Sequence, residues 1–90
     1  ILTSRIIPLI ERFEPEMLFL SAGFDAHKDD PLASLALSTE DFGWITRELA
    51  ATAARVCGGR LVSCLEGGYN LPALAASSAI HVDELIAAAR

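Results

Sequence analysis

The chain has 90 residues, a formal net charge of −5 and a mean hydropathy of +0.40. This length allows one small domain. The seven Lys and Arg residues are scattered singly, which argues against direct nucleic-acid binding. Uninterrupted apolar runs fall short of the ~20 residues of a membrane helix, and the first residues lack the pattern of a signal peptide. We therefore expect a cytoplasmic protein with no membrane partner.

The first predicted element is a helix. Thr3 or Ser4 can cap it, and apolar residues at helical spacing continue to Phe13. Pro8 falls in the first turn, where the missing N–H costs little. Pro15 is expected to end the helix.

The middle of the chain predicts a strand, a loop and a second helix. Residues 17–21 form a short apolar run that is bounded by proline and glycine, as in a buried strand. Residues 22–37 are predicted to be a long loop. Ser38 and Asp41 then make a capping-box pattern, and the glycine pair 58–59 is placed to end the helix.

The last third predicts a second strand, residues 61–65, and a final helix that Asn70 can cap and that extends to about Ala89. Strand, helix and strand form a βαβ unit with parallel strands and a right-handed crossover. The predicted fold class is α/β, with two core strands and flanking helices. Because carboxyl ends of parallel strands meet at one edge of a sheet, we expect Asp25 and the turn at residues 66–70 to converge.

Asp25 is the first ionisable residue after the first predicted strand. Its position suits a metal ligand or a proton-transferring group, and the alternative is a solvated loop carboxylate or cap. A carboxylate can bind a cation, but one aspartate does not make a metal site. His27 has the Asp-x-His spacing that puts both side chains on one side of extended backbone.

Tyr69 follows two glycines, Gly67 and Gly68, which permit an unusual turn and a close approach of substrate. The alternatives are an ordinary turn or an anion-binding helix N-terminus.

Two motifs carry a family resemblance. Residues 21–32, Ser-Ala-Gly-Phe-Asp-Ala-His-Lys-Asp-Asp-Pro-Leu, resemble the segment of the zinc-dependent histone deacetylase superfamily that supplies one aspartate to the zinc. The sequence of this segment is closer to class II and bacterial members, including acetylpolyamine amidohydrolases, than to class I. Residues 66–70, Glu-Gly-Gly-Tyr-Asn, match a second motif of that superfamily. The resemblance covers essentially the whole chain.

The resemblance implies a fragment of the arginase/deacetylase-like three-layer fold, with residues 1–90 as a single partial domain from the C-terminal portion of the catalytic domain. The first residue, Ile1, also suggests a piece of a longer polypeptide. The intact enzyme would hydrolyse an acetylated amine, acetyl-lysine or acetylpolyamine, to free amine and acetate with Zn²⁺.

The resemblance also assigns roles to single residues. Asp25 would be the metal ligand and Tyr69 the catalytic donor to the carbonyl oxygen of the scissile amide. Leu32 matches a position that lines the acyl-lysine tunnel, and Gly67 and Gly68 are the other expected substrate-binding residues.

The other polar residues are not expected to carry the chemistry. His27 is not expected to be a ligand, because the family's Asp-x-His pair of zinc ligands belongs to an earlier segment. Asp29 and Asp30 are expected to brace the loop. His81 lies in the last predicted helix and is interpreted as a surface or packing residue. The family's catalytic histidine pair has no match, so the chain alone is expected to be a poor enzyme or none.

Two other functions stay open at this point. A hydrophobic content of 52% favours a non-enzymatic module that associates with itself or with another protein. A phosphate-binding half-domain at the glycine turn is the other alternative, although it lacks both common glycine-rich motifs. Cys57 and Cys64 are predicted to be reduced core residues, with a disulfide as the alternative. Trp44 is interpreted as a packing or interface residue.

Overall fold

The computed structural model describes residues 1–29 and 36–89. Its elements are a π-helical turn (Leu2–Ile6), α1 (Ile7–Phe13), β1 (Leu18–Ala22), α2 (Thr39–Cys57), β2 (Leu61–Leu65) and α3 (Leu71–Ala88). The strands pair in parallel, with Leu18 opposite Leu61 and Ala22 opposite Leu65. The predicted α/β fold with two core strands and flanking helices is therefore confirmed.

The start of the first helix differs from the prediction. Thr3 and Ser4 lie inside the π-helical turn, in which the N–H groups of Arg5 and Ile6 both donate to the carbonyl of Ile1 at 2.9 and 3.2 Å. A side-chain cap requires a non-helical residue just before the helix. The backbone ahead of α1 is already helical, since its N-cap Ile6 has φ −72° and ψ −51°. The capping role predicted for Thr3 or Ser4 is therefore wrong.

The second helix begins and ends as its sequence predicts. The Ser38 hydroxyl accepts from the N–H of Asp41 at 3.2 Å, and the Asp41 carboxylate accepts from the N–H of Ser38 at 2.8 Å. Hydrogen bonds from the Ser38 backbone, and then from its side chain, hold the pKa of Asp41 below its usual value. Gly58, at φ +64°, ends α2 in the left-handed conformation that glycine adopts without penalty.

Helices α2 and α3 pack together and cover one face of the sheet. On that face the Ser63 hydroxyl of β2 contacts His81 of α3. Arg47 of α2 forms a two-bond ion pair with Glu84 of α3 at 2.9 and 3.2 Å on the surface. The hydrophobic side chains buried in the described part of the chain are Ile7, Phe24, Phe42, Ala50, Ala53, Cys57 and Ala73.

The opposite face of the sheet is exposed. Phe19 and Val62 lie opposite each other in the register and are 71% and 41% exposed. Cys64 belongs to the same face and is exposed, whereas Cys57 is buried, and both thiols are free. The prediction of a core position is therefore confirmed for Cys57 and wrong for Cys64. Side chains alternate along a strand, and Ser63, the residue before Cys64, points to the helices.

Two apolar features remain at the surface. Trp44 is 42% exposed. Within the described ranges, α3 is the helix whose length and composition would allow it to cross a membrane, which for a single helix is a weak indication. It has a buried side of its own, formed by Ala73, Ser77 and His81.

Replacing Ser38 with alanine removes the side-chain acceptor at the start of α2. We expect the free energy of unfolding to fall by about 1 kcal/mol, because the N–H of Asp41 loses its side-chain acceptor and keeps only the carbonyl of Ser38. Chemical denaturation followed by circular dichroism measures the change. Ser4→Ala is the matched control, since Ser4 is exposed within the π-helical turn. Equal losses in the two variants would contradict the capping role of Ser38.

Candidate functional site

The carboxyl ends of the two strands bring two loops into contact. Beyond the sheet, the N–H of Glu66 donates to the carbonyl of Ala22 at 3.1 Å, and the N–H of Phe24 donates to the carbonyl of Gly67 at 2.8 Å. The pairing of the chains thus continues past the last residues of β1 and β2. The predicted convergence of the Asp25 loop with the glycine turn is confirmed.

The Asp25 carboxylate lies in space that two glycines leave open. A Cβ atom on Gly67 would lie 2.9 Å from both Cγ and Oδ2 of Asp25. A Cβ atom on Gly23 would lie 3.0 Å from its Oδ1. Real Cβ contacts are longer, so a side chain at Gly67 would displace the carboxylate. The missing side chains give Asp25 a defined, half-buried place at the edge of the sheet.

Gly68 and Tyr69 complete the turn. Gly68 has φ +143°, a conformation that L-residues rarely adopt, and a Cβ atom there would lie 2.9 Å from Cδ1 of Leu74. Tyr69 follows with its side chain at the surface, 55% exposed. The Asn70 side chain then accepts from the N–H of Ala73 at 2.9 Å and caps α3. The turn therefore joins β2 to α3 with Tyr69 on its outer side.

An aromatic cluster lies beneath the loop. Phe24, only 4% exposed, makes edge contacts with the rings of Phe42 at 5.2 Å and His81 at 5.8 Å between centroids. His27 stacks on the other side of the cluster, with its ring centroid 6.3 Å from that of Phe42. Sequence reasoning did not single out Phe24 or Phe42 as neighbours of the site, because the contacts join α2, α3 and the loop.

His27 is fully engaged in the loop. Its Nδ1 accepts from the N–H of Asp29 at 3.0 Å, so we assign the ring proton to Nε2, which donates to the hydroxyl of Thr39 at 3.0 Å. The side chain is buried. Both nitrogens therefore have protein partners. Asp29 braces the loop through its backbone, whereas Asp30 and Leu32 lie outside the described residues.

His81 is buried and bridges three elements. The Thr46 hydroxyl donates to the carbonyl of Phe42 at 2.7 Å, so it must accept from Nδ1 of His81, 2.8 Å away. Nε2 is then free to accept from the Ser63 hydroxyl at 2.8 Å. We thus assign a neutral ring, and burial lowers the pKa of His81. The packing interpretation is confirmed, and the four-residue spacing of Ala73, Ser77 and His81 is the sequence signal for the buried face.

Asp25 is the candidate metal ligand at this edge of the sheet. Among residues 1–29 and 36–89, no group of three His, Cys, Asp or Glu side chains is arranged to hold a metal ion. The Asp25 carboxylate suits one oxygen ligand of zinc, while His27 has no free nitrogen. Asp25 therefore fits as one member of a ligand set that residues beyond these ranges would have to complete.

Known proteins resemble this chain over most of its length. Type-2 histone deacetylase 1 of Dictyostelium discoideum is 49% identical over 82 residues, which are 91% of this chain and 6% of that protein. Histone deacetylase 14, chloroplastic, of Arabidopsis thaliana is 46% identical over 74 residues, 82% of this chain and 18% of that protein. The chain thus spans less than a fifth of the length of these curated relatives.

The solved structure of the HDA15 HD domain superposes with a TM-score of 0.83 at 30% identity, covering 96% of this chain and 23% of that chain. Residues 1–85 match the histone deacetylase domain, and the chain belongs to that family. The resemblance drawn from the two motifs is therefore confirmed, together with the fold that it implied.

The lowered pKa of His81 predicts a pH-dependent stability. Between the folded pKa and the unfolded value of about 6.5, the folded state binds fewer protons than the unfolded state. We therefore expect the denaturant concentration at the midpoint of unfolding to fall as the pH drops from about 7.5 to about 5.5. His81→Gln removes the titrating group and should flatten this dependence. If the midpoint of His81→Gln depended on pH as steeply as that of the unsubstituted protein, the lowered pKa of His81 would be contradicted.

Proposed function

We propose that residues 1–90 form one side of the active site of a zinc-dependent deacetylase, which hydrolyses acetyl-lysine or acetylpolyamine to free amine and acetate. The observation that carries the proposal is the Asp25 carboxylate lying against Gly67, in the turn that presents Tyr69. Family membership supports the deacetylase class. The small share of each relative that the chain spans supports its role as a partial domain.

Asp25 would be one of the residues that hold the zinc. Its carboxylate is half-buried at the open edge of the sheet, and Gly23 and Gly67 leave room for it on two sides. When bound, zinc polarises an acyl carbonyl and lowers the pKa of a coordinated water. The contribution of this chain would be a negative oxygen ligand that lies in the space beside Gly23 and Gly67.

Tyr69 would act on the substrate from the turn that follows β2. A phenolic hydroxyl aimed at the carbonyl oxygen stabilises the charge that develops there during attack. Its exposure leaves the ring accessible to a substrate arriving at the edge of the sheet. Gly67 and Gly68 would let the acyl group approach the backbone closely, and Leu32 would line the path of the acyl-lysine side chain.

The segment alone would lack catalysis. The chain contains two histidines, and both ring nitrogens of each have a hydrogen-bond partner within the fold. Neither is therefore available as a general base or as a second zinc ligand. We propose that other parts of a complete deacetylase domain supply the histidine pair and the remaining ligands.

The cellular setting belongs to the same proposal. We propose a cytoplasmic protein that acts on acetylated amines and binds neither nucleic acid nor a membrane directly. The net charge of −5 supports the absence of a nucleic-acid partner, since phosphates would be repelled.

The roles of Asp25 and Tyr69 predict two different losses of activity. In the protein that carries this sequence, Asp25→Asn should lower zinc content and abolish deacetylation, because an amide is a poor substitute for the anionic ligand. Tyr69→Phe should retain zinc and lower kcat by about 10²- to 10³-fold. Zinc analysis and acetate release from acetyl-lysine peptide and acetylpolyamine measure both effects.

Asp83→Asn is the matched control for charge, since Asp83 is exposed on α3. Activity should survive in this variant. Full activity in Asp25→Asn, or zinc loss in Tyr69→Phe, would contradict the assigned roles. Comparison of the two substrates identifies the preferred acetylated amine.

A second candidate function is association through the exposed face of the sheet. Phe19, 71% exposed, and Val62 favour it, because apolar strand faces are normally covered. If the chain is a self-associating, non-enzymatic module, the Phe19→Lys substitution should dissociate its oligomer into monomers. Sedimentation velocity measures this change. Phe13→Lys changes an equally prominent phenylalanine of α1, 81% exposed, and should have no effect. A monomer at high concentration would exclude this function.

A further inference from the structure

The aromatic contact between His81 and Phe24 connects the helical layer with the candidate site. We propose that His81 is a positioning residue for Asp25 and acts through the ring of Phe24. This inference rests on the proposed deacetylase function. It concerns a residue of α3 that touches neither substrate nor metal.

The first step is the fixed orientation of the His81 ring. Thr46 of α2 holds Nδ1 and Ser63 of β2 holds Nε2, each at 2.8 Å. Because the Thr46 proton is committed to the carbonyl of Phe42, the two hydrogen bonds have one consistent direction. The ring can neither flip nor slide without leaving a buried polar atom unpaired.

The second step is the placement of Phe24. The His81 ring meets Phe24 at an interplanar angle of 68°, and Phe42 meets it at 76°, so two edge-type contacts restrict one buried ring. Thr46 hydrogen-bonds to His81 and also to the backbone of Phe42. A loss of the His81 ring would therefore loosen Phe24 on one side and disturb its second neighbour.

The third step leads from Phe24 to both halves of the site. Its N–H donates to the carbonyl of Gly67, and its Cβ lies 3.4 Å from the position that a Cβ on Gly68 would take. The next residue is Asp25, whose carboxylate lies against Gly67. Phe24 is therefore the residue through which a change at His81 would reach both the metal ligand and the turn that carries Tyr69.

The experiment compares His81→Leu with Cys57→Ala in the protein that carries this sequence. Leucine keeps apolar bulk but removes both hydrogen bonds and the aromatic contact. We expect zinc affinity, measured by chelator competition, and kcat per folded molecule to fall about tenfold, with KM unchanged. Cys57→Ala removes a buried side chain at the other end of α2 and should lower the melting temperature alone.

Two further measurements separate positioning from a general loss of stability. His81→Gln, whose amide oxygen can accept from Ser63 but which has no ring to meet Phe24, should recover part of the stability and little of the zinc affinity. Hydrogen exchange at the Phe24 amide should be about tenfold faster in His81→Leu than in Cys57→Ala, while amides within β1 exchange alike in both.

The inference is overturned if His81→Leu and Cys57→Ala have the same effect on zinc affinity, kcat and Phe24 exchange. If the protein that carries this sequence neither bound zinc nor catalysed deacetylation, the proposed function would be refuted instead. In that case the Phe24 exchange rate still decides the inference, because it reports the position of the loop without requiring catalysis.

Discussion

The parallel register of β1 and β2 is the constraint on which the candidate site depends. With Ala22 opposite Leu65, the next backbone contacts bring Glu66 to Ala22 and Phe24 to Gly67. A slip of one residue would turn every side chain of a strand to the other face. Ser63 would then face away from His81, and the space that receives the Asp25 carboxylate would no longer lie beside it. The register of the two strands therefore determines both the contact of Ser63 with His81 and the position of the Asp25 carboxylate.

The site is built as much from missing side chains as from present ones. Gly23 and Gly67 leave the volume that the Asp25 carboxylate occupies, and Gly68 allows a backbone angle that other residues avoid. Glycines give the unfolded chain more conformational freedom, so folding such a site costs more entropy. The folded site would then need little rearrangement to bind a ligand. The backbone beneath the polar residues at the edge of the sheet is held by the hydrogen bonds from Glu66 to Ala22 and from Phe24 to Gly67.

The two histidines have structural contacts that differ from those of the candidate site residues. His27 fastens the loop to the first turn of α2 through Thr39, and His81 joins α2, β2 and α3 through two hydroxyls. Buried polar contacts of this kind hold a structure in one arrangement, since breaking either leaves an unpaired group in the core. The ligand and donor roles that we propose belong instead to Asp25 and Tyr69, which lie in loops at the edge that the strands define.

The sequence by itself determined the features with local causes: the helix that begins at the Ser38 capping box, the parallel strands, and the meeting of Asp25 with the Tyr69 turn. Its two motifs also identified the family. Tertiary structure decided the hydrogen-bond partners of His81 and the exposure of Cys64. The physical reason is that each depends on distant parts of the chain, or on which face of the sheet is covered. No pattern of neighbouring residues encodes which hydroxyl of another element will meet a buried ring.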